Sequence, residues 1–375
     1  MTAETTLKKL LATADIKING NKPWDIKVNN PKFYQRALSE GDMGLGESYM
    51  DGWWDCERLD LLYEKLLNAN LETEIKNNLR HLITFLKSKM LNMQNKARSK
   101  KVGEVHYDVG NELYKHMLGK NMTYTCAYWK GLKKTSKNLD KAQEQKLDLV
   151  CKKMGLKKGM TVLDIGCGWG SFAKFAAKKY KVRVLGITIS KEQAKLARKL
   201  CKGLPVEIRL QDYRDVKEKF DRIISLGMFE HVGGKNHRTY MEVVRKNLKE
   251  DGLFLLHTIG WIYTRKPTAK SWLNKYIFPG GYLPSASEIA QAADHVLSLE
   301  DWHDFGINYV YTLRAWYDNF KKSWPKIKKD YDERFYRMWT LYLGMATGAY
   351  LSRKSKLWQI VFSKNGVKEG YKSIR

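Results

Sequence analysis

The amino-acid sequence predicts an α/β protein, a doubly wound parallel sheet preceded by a smaller mixed, mainly helical domain. Three observations carry this. From Thr161 onward, short apolar runs alternate with helical patterns, the order that builds a parallel sheet with crossover helices. The first run passes directly into a glycine turn, Gly166-Cys-Gly-Trp-Gly170, and a helix start at Ser171. Before His106 the composition differs, with an Asn-Gly turn, a glycine–aromatic cluster and a long basic periodic stretch.

The small domain is read first. Leu7-Lys-Lys-Leu-Leu-Ala has helical spacing, and Ile16-Lys-Ile-Asn and Asp25-Ile-Lys-Val read as two short strands around Asn19-Gly20. Gly44 to Trp54 is dense in glycine and aromatics and reads as a packed loop or lid, with Trp53 and Trp54 anchoring this domain's core. Between Lys76 and Lys101, Leu79, Leu82, Ile83, Leu86, Met90 and Met93 define one apolar helical face, and lysines and arginines crowd the others. Such a helix suits an anionic membrane surface, or docks on the body with a solvated basic back. The charge run at Arg98-Ser-Lys-Lys marks a linker, so the expected domains are 1–97 and 106–375, joined by 98–105.

In the larger domain a helix is expected over Leu139–Lys153. Strands are expected at Thr161–Asp164, Val182–Ser190, Val206–Leu210, Phe220–Leu226 and Gly252–Ile259, with a helix over Lys191–Leu200. Ligands of such sheets bind beyond the carboxyl ends of the strands. The residues there are Gly166–Gly170, Thr188–Ser190, Gln211–Tyr213, Met228–His231 and His257–Ile259. Glycines let a ligand approach the backbone closely, and the helix start offers free N–H groups. The turn is G-x-G-x-G, and Ser171 stands where the dinucleotide fingerprint has its third glycine. That points away from NAD and toward S-adenosylmethionine, whose loop in Rossmann-like methyltransferases this stretch resembles.

Composition bounds the partners. Sixty-eight basic against 40 acidic residues give a net charge of +28, a surface that seeks polyanions such as nucleic acid or an anionic membrane. The five cysteines are scattered with no C-x-x-C pair, which suggests neither a disulfide scaffold nor a metal site and fits a reducing cytoplasm. The N-terminus lacks a signal-peptide pattern, and no apolar run is long enough to span a bilayer. Membrane contact is therefore expected to be peripheral.

Five blocks in order, Tyr124-Thr-Cys-Ala-Tyr-Trp, Leu163-Asp-Ile-Gly-Cys-Gly-Trp-Gly, Met228-Phe-Glu-His-Val-Gly, Leu256-His-Thr-Ile-Gly and Tyr276-Ile-Phe-Pro-Gly-Gly, resemble the cyclopropane-fatty-acyl-phospholipid synthases, which are related to the mycolic acid cyclopropane synthases. The resemblance extends over nearly the whole chain, including Gly44-Leu-Gly-Glu-Ser-Tyr-Met-Asp-Gly-Trp-Trp, which suggests the full two-domain form. It implies transfer of a methylene group from S-adenosylmethionine to the cis double bond of unsaturated acyl chains in membrane phospholipids. It also implies a homodimer on the inner face of the membrane. The cofactor contacts it implies are Tyr124, Thr125, Gly166, Gly168, Thr188, Ile189, Gln193, Gln211, Asp212 and Tyr213. In place of the acid that often ends the second strand of a methyltransferase, Thr188 and Gln193 are the implied ribose contacts, a departure the family shares.

The chemistry asks for a base and for protection of a carbocation. The resemblance implies a bicarbonate ion held by Cys126, Glu230, His257, Tyr309 and the backbone N–H of Ile259. His257 and Tyr309 can donate hydrogen bonds to such an anion, and Glu230 can accept from its O–H. Tyr124, Tyr128, Trp129, Phe229 and Tyr309 offer rings that could steady a cation or simply wall out water. Taken singly, His257, Cys126 and Tyr309 also fit core positions, whereas a carboxylate such as Glu230 beside Phe229 requires a partner. A nucleic-acid methyltransferase is disfavoured. The stretch after the fourth strand is Leu226-Gly-Met-Phe-Glu-His instead of an Asn/Asp-Pro-Pro-aromatic loop, and no cysteine follows a proline. The intact glycine loop argues against a membrane-binding protein with a decayed cofactor fold.

Overall fold

The computed structural model describes residues 2–69, 111–265 and 271–375. The stretch Lys76–Lys101, the linker 98–105 and His106 lie outside the described residues. In chain order the main elements are α1 (Ala3–Ala12), β1 (Lys27–Val28), α2 (Lys32–Glu40), α3 (Asp42–Met50), β2 (Trp54–Asp55), α4 (Leu59–Asn68), α5 (Asn111–Leu118), α6 (Leu139–Lys153), β3 (Thr161–Ile165), α7 (Ser171–Tyr180) and β4 (Arg183–Thr188). There follow α8 (Lys191–Leu200), β5 (Val206–Leu210), β6 (Phe220–Leu226), α9 (His237–Asn247), β7 (Leu248–Trp261), α10 (Trp272–Tyr276), α11 (Ala286–Ala293), β8 (Ser298–Asp304), α12 (Ile307–Ile327), α13 (Glu333–Leu351) and β9 (Ser355–Ser363).

The chain forms two compact units. One comprises Met1–Asp108, Thr268–Pro279 and Pro325–Lys354; the other comprises Val109–Pro267, Gly280–Trp324 and Ser355–Arg375. The small unit therefore draws on two segments from beyond residue 106, where a contiguous domain was expected. The cause is close helix packing. A Cβ on Gly344 or Gly348 of α13 would come within 2.6 or 2.7 Å of Leu59 and Asp60 around α4. A Cβ on Gly46 would strike the Trp272 ring of α10. The Gly44–Trp54 stretch is thus largely helix, α3, and not a loop or lid: its glycines serve helix contact. Trp54 is fully buried against Phe33 and Tyr49, as an anchor should be. The two short strands around Asn19 reduce to a bridge between Ile18 and Ile26, while β1 pairs with β2.

The larger unit holds a seven-stranded sheet of order β5-β4-β3-β6-β7-β9-β8. The five strands β5 to β7 are parallel, and β9 inserts antiparallel between β7 and β8. Rossmann-like winding was legible, but the antiparallel edge was not. Apolar residues fill both faces of the sheet: Leu163, Ile223, Phe254 and Ile360 on one, Val162, Ile224, Leu255 and Val361 on the other. The chain leaves β3 toward β4 on one side and returns to β6 on the other. The switch point at the carboxyl end of β3 is where such folds bind ligands.

Candidate active site

The glycine turn occupies that switch point. Gly166, Gly168 and Gly170 have φ of +77°, +54° and +79°, left-handed values that disfavour side chains. Their reasons differ. A Cβ on Gly170 would lie 3.0 Å from Cys201 Sγ, a packing constraint, whereas a Cβ on Gly168 would meet nothing within 4 Å. Gly168 therefore borders open space, as a ligand cradle requires.

The neighbouring strand ends line up beside it. Gly166 and Cys167 both donate to Ile187 O at 3.0 Å, which ties the loop to β4. Thr188, at the end of β4, donates to Gln193 Oε1 at 3.0 Å and accepts from Ser190 N–H at 3.2 Å. The two expected ribose contacts are thus held together by the cap of α8. Ile189 is 81% exposed, an apolar side chain standing in solvent at the rim. Gln211 N–H donates to Thr188 O, and Asp212 is held by Arg214, whose charge keeps the carboxylate ionised below its usual range. Tyr213 turns inward, its ring 5.0 Å from Tyr240.

The loop Met122–Trp129 closes over this end of the sheet. Its rings form a chain: Trp169 to Tyr114 at 5.0 Å, Tyr114 to Tyr124 at 5.2 Å, Tyr124 to Trp316 at 5.3 Å and Trp316 to Tyr309 at 5.9 Å. Thr312 on α12 clamps the loop. Its buried Oγ1 accepts from Ala127 N–H at 3.1 Å and Trp129 Nε1–H at 3.0 Å, donates to Asn308 O, and lies 3.8 Å from Cys126 Sγ. Cys126 thus lies against α12, on which Tyr309 stands one turn before Thr312. Burial pushes the Cys126 thiol far up, so it remains protonated and is no thiolate nucleophile.

The remaining groups converge from β6 and β7. Glu230 Oε1 accepts from Ile259 N–H at 2.7 Å, while its buried Oε2 has no hydrogen-bond partner. Burial pushes this carboxyl up to about 7. His257, two residues before Ile259 on β7, is buried, and the same desolvation keeps it neutral. Gln359 Nε2, an amide donor 3.4 Å from its Nδ1, favours the tautomer with the proton on Nε2, and neither that atom nor Gln359 Oε1 has a partner. Phe305 joins the two halves, its ring 5.7 Å from His257 and 5.8 Å from Tyr128. Gly227 does so as well, donating to His257 O at 2.9 Å and standing against the Thr125 methyl. Of the candidate rings, Trp129 and Phe229 are core walls, the first bonded to Thr312 and the second stacked on His237 at 4.1 Å.

Lys146, Asp164, Thr312 and Gln359 were missed from sequence. Each lies inside an apolar or helical run, and of the four only Lys146, which shares the buried face of α6 with Lys153, carries a periodicity signal. A basic surface cleft, lined by Lys219, Arg238, Arg245 and Lys246, lies near the amino ends of β6 and β7, away from all these groups.

A parallel sheet with a G-x-G-x-G switch-point loop, an antiparallel strand at one side and a Thr–Gln pair joining the end of the second strand to the next helix defines an S-adenosylmethionine-dependent methyltransferase fold. Comparison with known proteins narrows the class. The profile of the mycolic acid cyclopropane synthetase family matches residues 94–360, and the chain belongs to this family. It is 51% identical over 367 residues to the cyclopropane-fatty-acyl-phospholipid synthase of Escherichia coli strain K12, covering 98% of this chain and 94% of the relative. It is 34% identical over 275 residues to sphingolipid C9-methyltransferase A of Emericella nidulans, covering 69% of this chain and 53% of that protein. Among solved structures, the cyclopropane synthase MmaA2 from Mycobacterium tuberculosis superposes with a TM-score of 0.65 at 30% identity, over 71% of this chain and 98% of that one. The mycolic acid cyclopropane synthase CmaA1, solved in complex with SAH and CTAB, gives 0.64 at 29% identity, over 69% and 96%.

Proposed function

We propose that this enzyme converts cis double bonds of unsaturated acyl chains in membrane phospholipids into cyclopropane rings, using S-adenosylmethionine and a bound bicarbonate. The observation that carries the reading is the pair of buried orphans at the carboxyl end of the sheet, Glu230 Oε2 in the short turn after β6 and His257 Nε2 on β7. One unfilled acceptor and one unfilled donor fit a small oxoanion that bears an O–H. S-adenosylmethionine would supply the methyl carbon, and bicarbonate would accept the proton lost as the ring closes.

The chain's own residues do the rest. Gly166 and Gly168 admit the cofactor to the loop, and Tyr124, Thr125, Thr188, Ile189, Gln193, Gln211, Asp212 and Tyr213 would hold it. Ile259 N–H fixes one oxygen of Glu230 and aims the other; Glu230 accepts in its carboxylate form. His257, neutral and protonated on Nε2, donates without itself taking the proton. Cys126 and Tyr309 complete the anion's surroundings, and the ring chain from Trp169 to Tyr309 excludes water that would trap a cation. Among the described residues no helix is long and apolar enough to cross a membrane. Access to phospholipid would come through the basic surface, at the inner face of the membrane and as a homodimer. Expression in a host that lacks such an enzyme, followed by lipid mass spectrometry, tests the transfer of one carbon to unsaturated chains, and loss of the vinylic ¹H NMR signals tests the ring. Unsaturated phospholipids heavier by one CH₂ are expected; an unchanged lipid profile alongside soluble, cofactor-binding protein would overturn it.

A further inference from the structure

Helix α6 carries a lysine whose side chain is fully buried, Lys146. Its ammonium donates to Thr125 Oγ1 at 2.7 Å, the one hydrogen bond it makes among the described residues. An ammonium has three N–H donors, so two remain inside the protein with no acceptor. Asp164, at the end of β3, is also buried, and its Oδ2 has no hydrogen-bond partner. Burial drives the lysine down and the aspartate up, each opposed by the other's charge, so the two titrate as a coupled pair. The lysine's charge also reaches Cys126 and His257.

Stability gives no reason for this lysine. A buried ammonium with no salt-bridge partner costs desolvation free energy that an apolar side chain of similar volume avoids. The geometry around Thr125 gives a better one. Its carbonyl accepts from Gln143 Nε2 at 2.8 Å, and its methyl stands against Gly227. Its hydroxyl oxygen already accepts from Lys146, so its own proton is free to donate elsewhere. Unfilled N–H donors on a buried lysine, with a half-buried O–H beside them, match an oxoanion of the carboxylate class, whose own charge would favour the protonated lysine.

We propose that Lys146 is the countercation of a carboxylate-class anion bound beside Thr125 and Cys126, acting through the Thr125 hydroxyl as a positioning residue. The inference rests on the functional reading above. Two anions of this chemistry would be present there, the α-carboxylate of S-adenosylmethionine and bicarbonate.

The test uses the full chain with Lys146→Met, and with Thr125→Val as a second variant that leaves the lysine in place. Calorimetry measures S-adenosylmethionine and its decarboxylated analogue, and ¹³C NMR line broadening measures labelled bicarbonate. Lys146→Met should weaken S-adenosylmethionine or bicarbonate by ~10- to 100-fold, as expected for a charge-assisted contact, and leave the decarboxylated analogue within about twofold. Loss confined to S-adenosylmethionine identifies its carboxylate as the anion; loss confined to bicarbonate identifies the base. Loss of both means that the two share the charge. Thr125→Val should show the same selectivity with a smaller loss, and if Lys146→Met does not fold, Lys146→Gln, which keeps an N–H donor and removes the charge, takes its place with the same expected losses. A folded variant with unchanged binding of both anions, or an equal loss for the decarboxylated analogue, overturns the inference. If the wild-type protein binds neither anion, the functional reading itself falls, and this inference with it.

Discussion

Replacing Glu230 by glutamine should alter both turnover and the pH dependence of stability. The Glu230 carboxyl is held at about 7 by burial, against a usual 4.5. A group whose folded value is raised contributes stability that is complete below the unfolded value and is lost as pH rises through the folded one. At about 1.4 kcal/mol per tenfold change in proton activity, the wild type loses about 3 kcal/mol between roughly pH 4.5 and 7 that a neutral side chain would not lose. Glu230→Gln keeps an oxygen to accept from Ile259 N–H, so the fold is retained. Its amide also places N–H donors where an anion's O–H would point. Turnover should fall about 10²- to 10⁴-fold, the range of general-base contributions, with cofactor affinity unchanged. Wild-type turnover should rise with pH through about 7, where the carboxylate forms. Urea melts from pH 4.5 to 8 would compare the two proteins. Parallel stability profiles, or near-normal turnover by the variant, would refute the reasoning and leave His257 or Tyr309 as the proton-handling group.

Three further outcomes follow from the same geometry. Gly168→Val should lose S-adenosylmethionine binding in calorimetry while remaining folded, with only the backbone strain of its positive φ to lower stability, because nothing within 4 Å obstructs its Cβ; Gly170→Val carries the same strain and should unfold more readily still, since its Cβ also meets Cys201 Sγ at 3.0 Å. Thr312→Val leaves Ala127 N–H and Trp129 Nε1–H buried without acceptors, so chemical melts should show a loss of about 1–3 kcal/mol per donor, and Thr312→Ser should recover most of it. With a net charge of +28, the protein should bind anionic liposomes and release them as salt rises, because exposed charges are screened over about 10 Å at 0.1 M; equal binding to neutral vesicles at high salt would remove charge from the account.

How much was legible in the sequence depends on the range of the determining contact. The parallel strands were readable because each carries its own apolar run and is followed by its own helix, so β5 and β6 fall where expected. β9 was not foreseen as the strand inserted between β7 and β8, since its position is fixed by pairing with residues about a hundred positions earlier. The glycines of α3 misled for a related reason: Gly46 is small to admit Trp272, a contact between distant segments. In the candidate site, the glycine loop was visible as a local pattern. Thr312, Gln359 and Lys146 were not, because a clamp, a tautomer-setting amide and a buried cation are defined by partners that only the folded chain supplies.

The central claim is ring formation, and mass alone does not test it, because a methylated alkene and a cyclopropane have the same composition. The direct measurement is ¹H NMR of phospholipid vesicles bearing cis-unsaturated chains, after incubation with the purified enzyme, S-adenosylmethionine and bicarbonate. The account predicts that vinylic signals disappear in step with the appearance of upfield ring-methylene protons. Product heavier by one CH₂ that keeps a vinylic proton and gains a methyl signal would contradict it, and would make this chain a simple lipid methyltransferase.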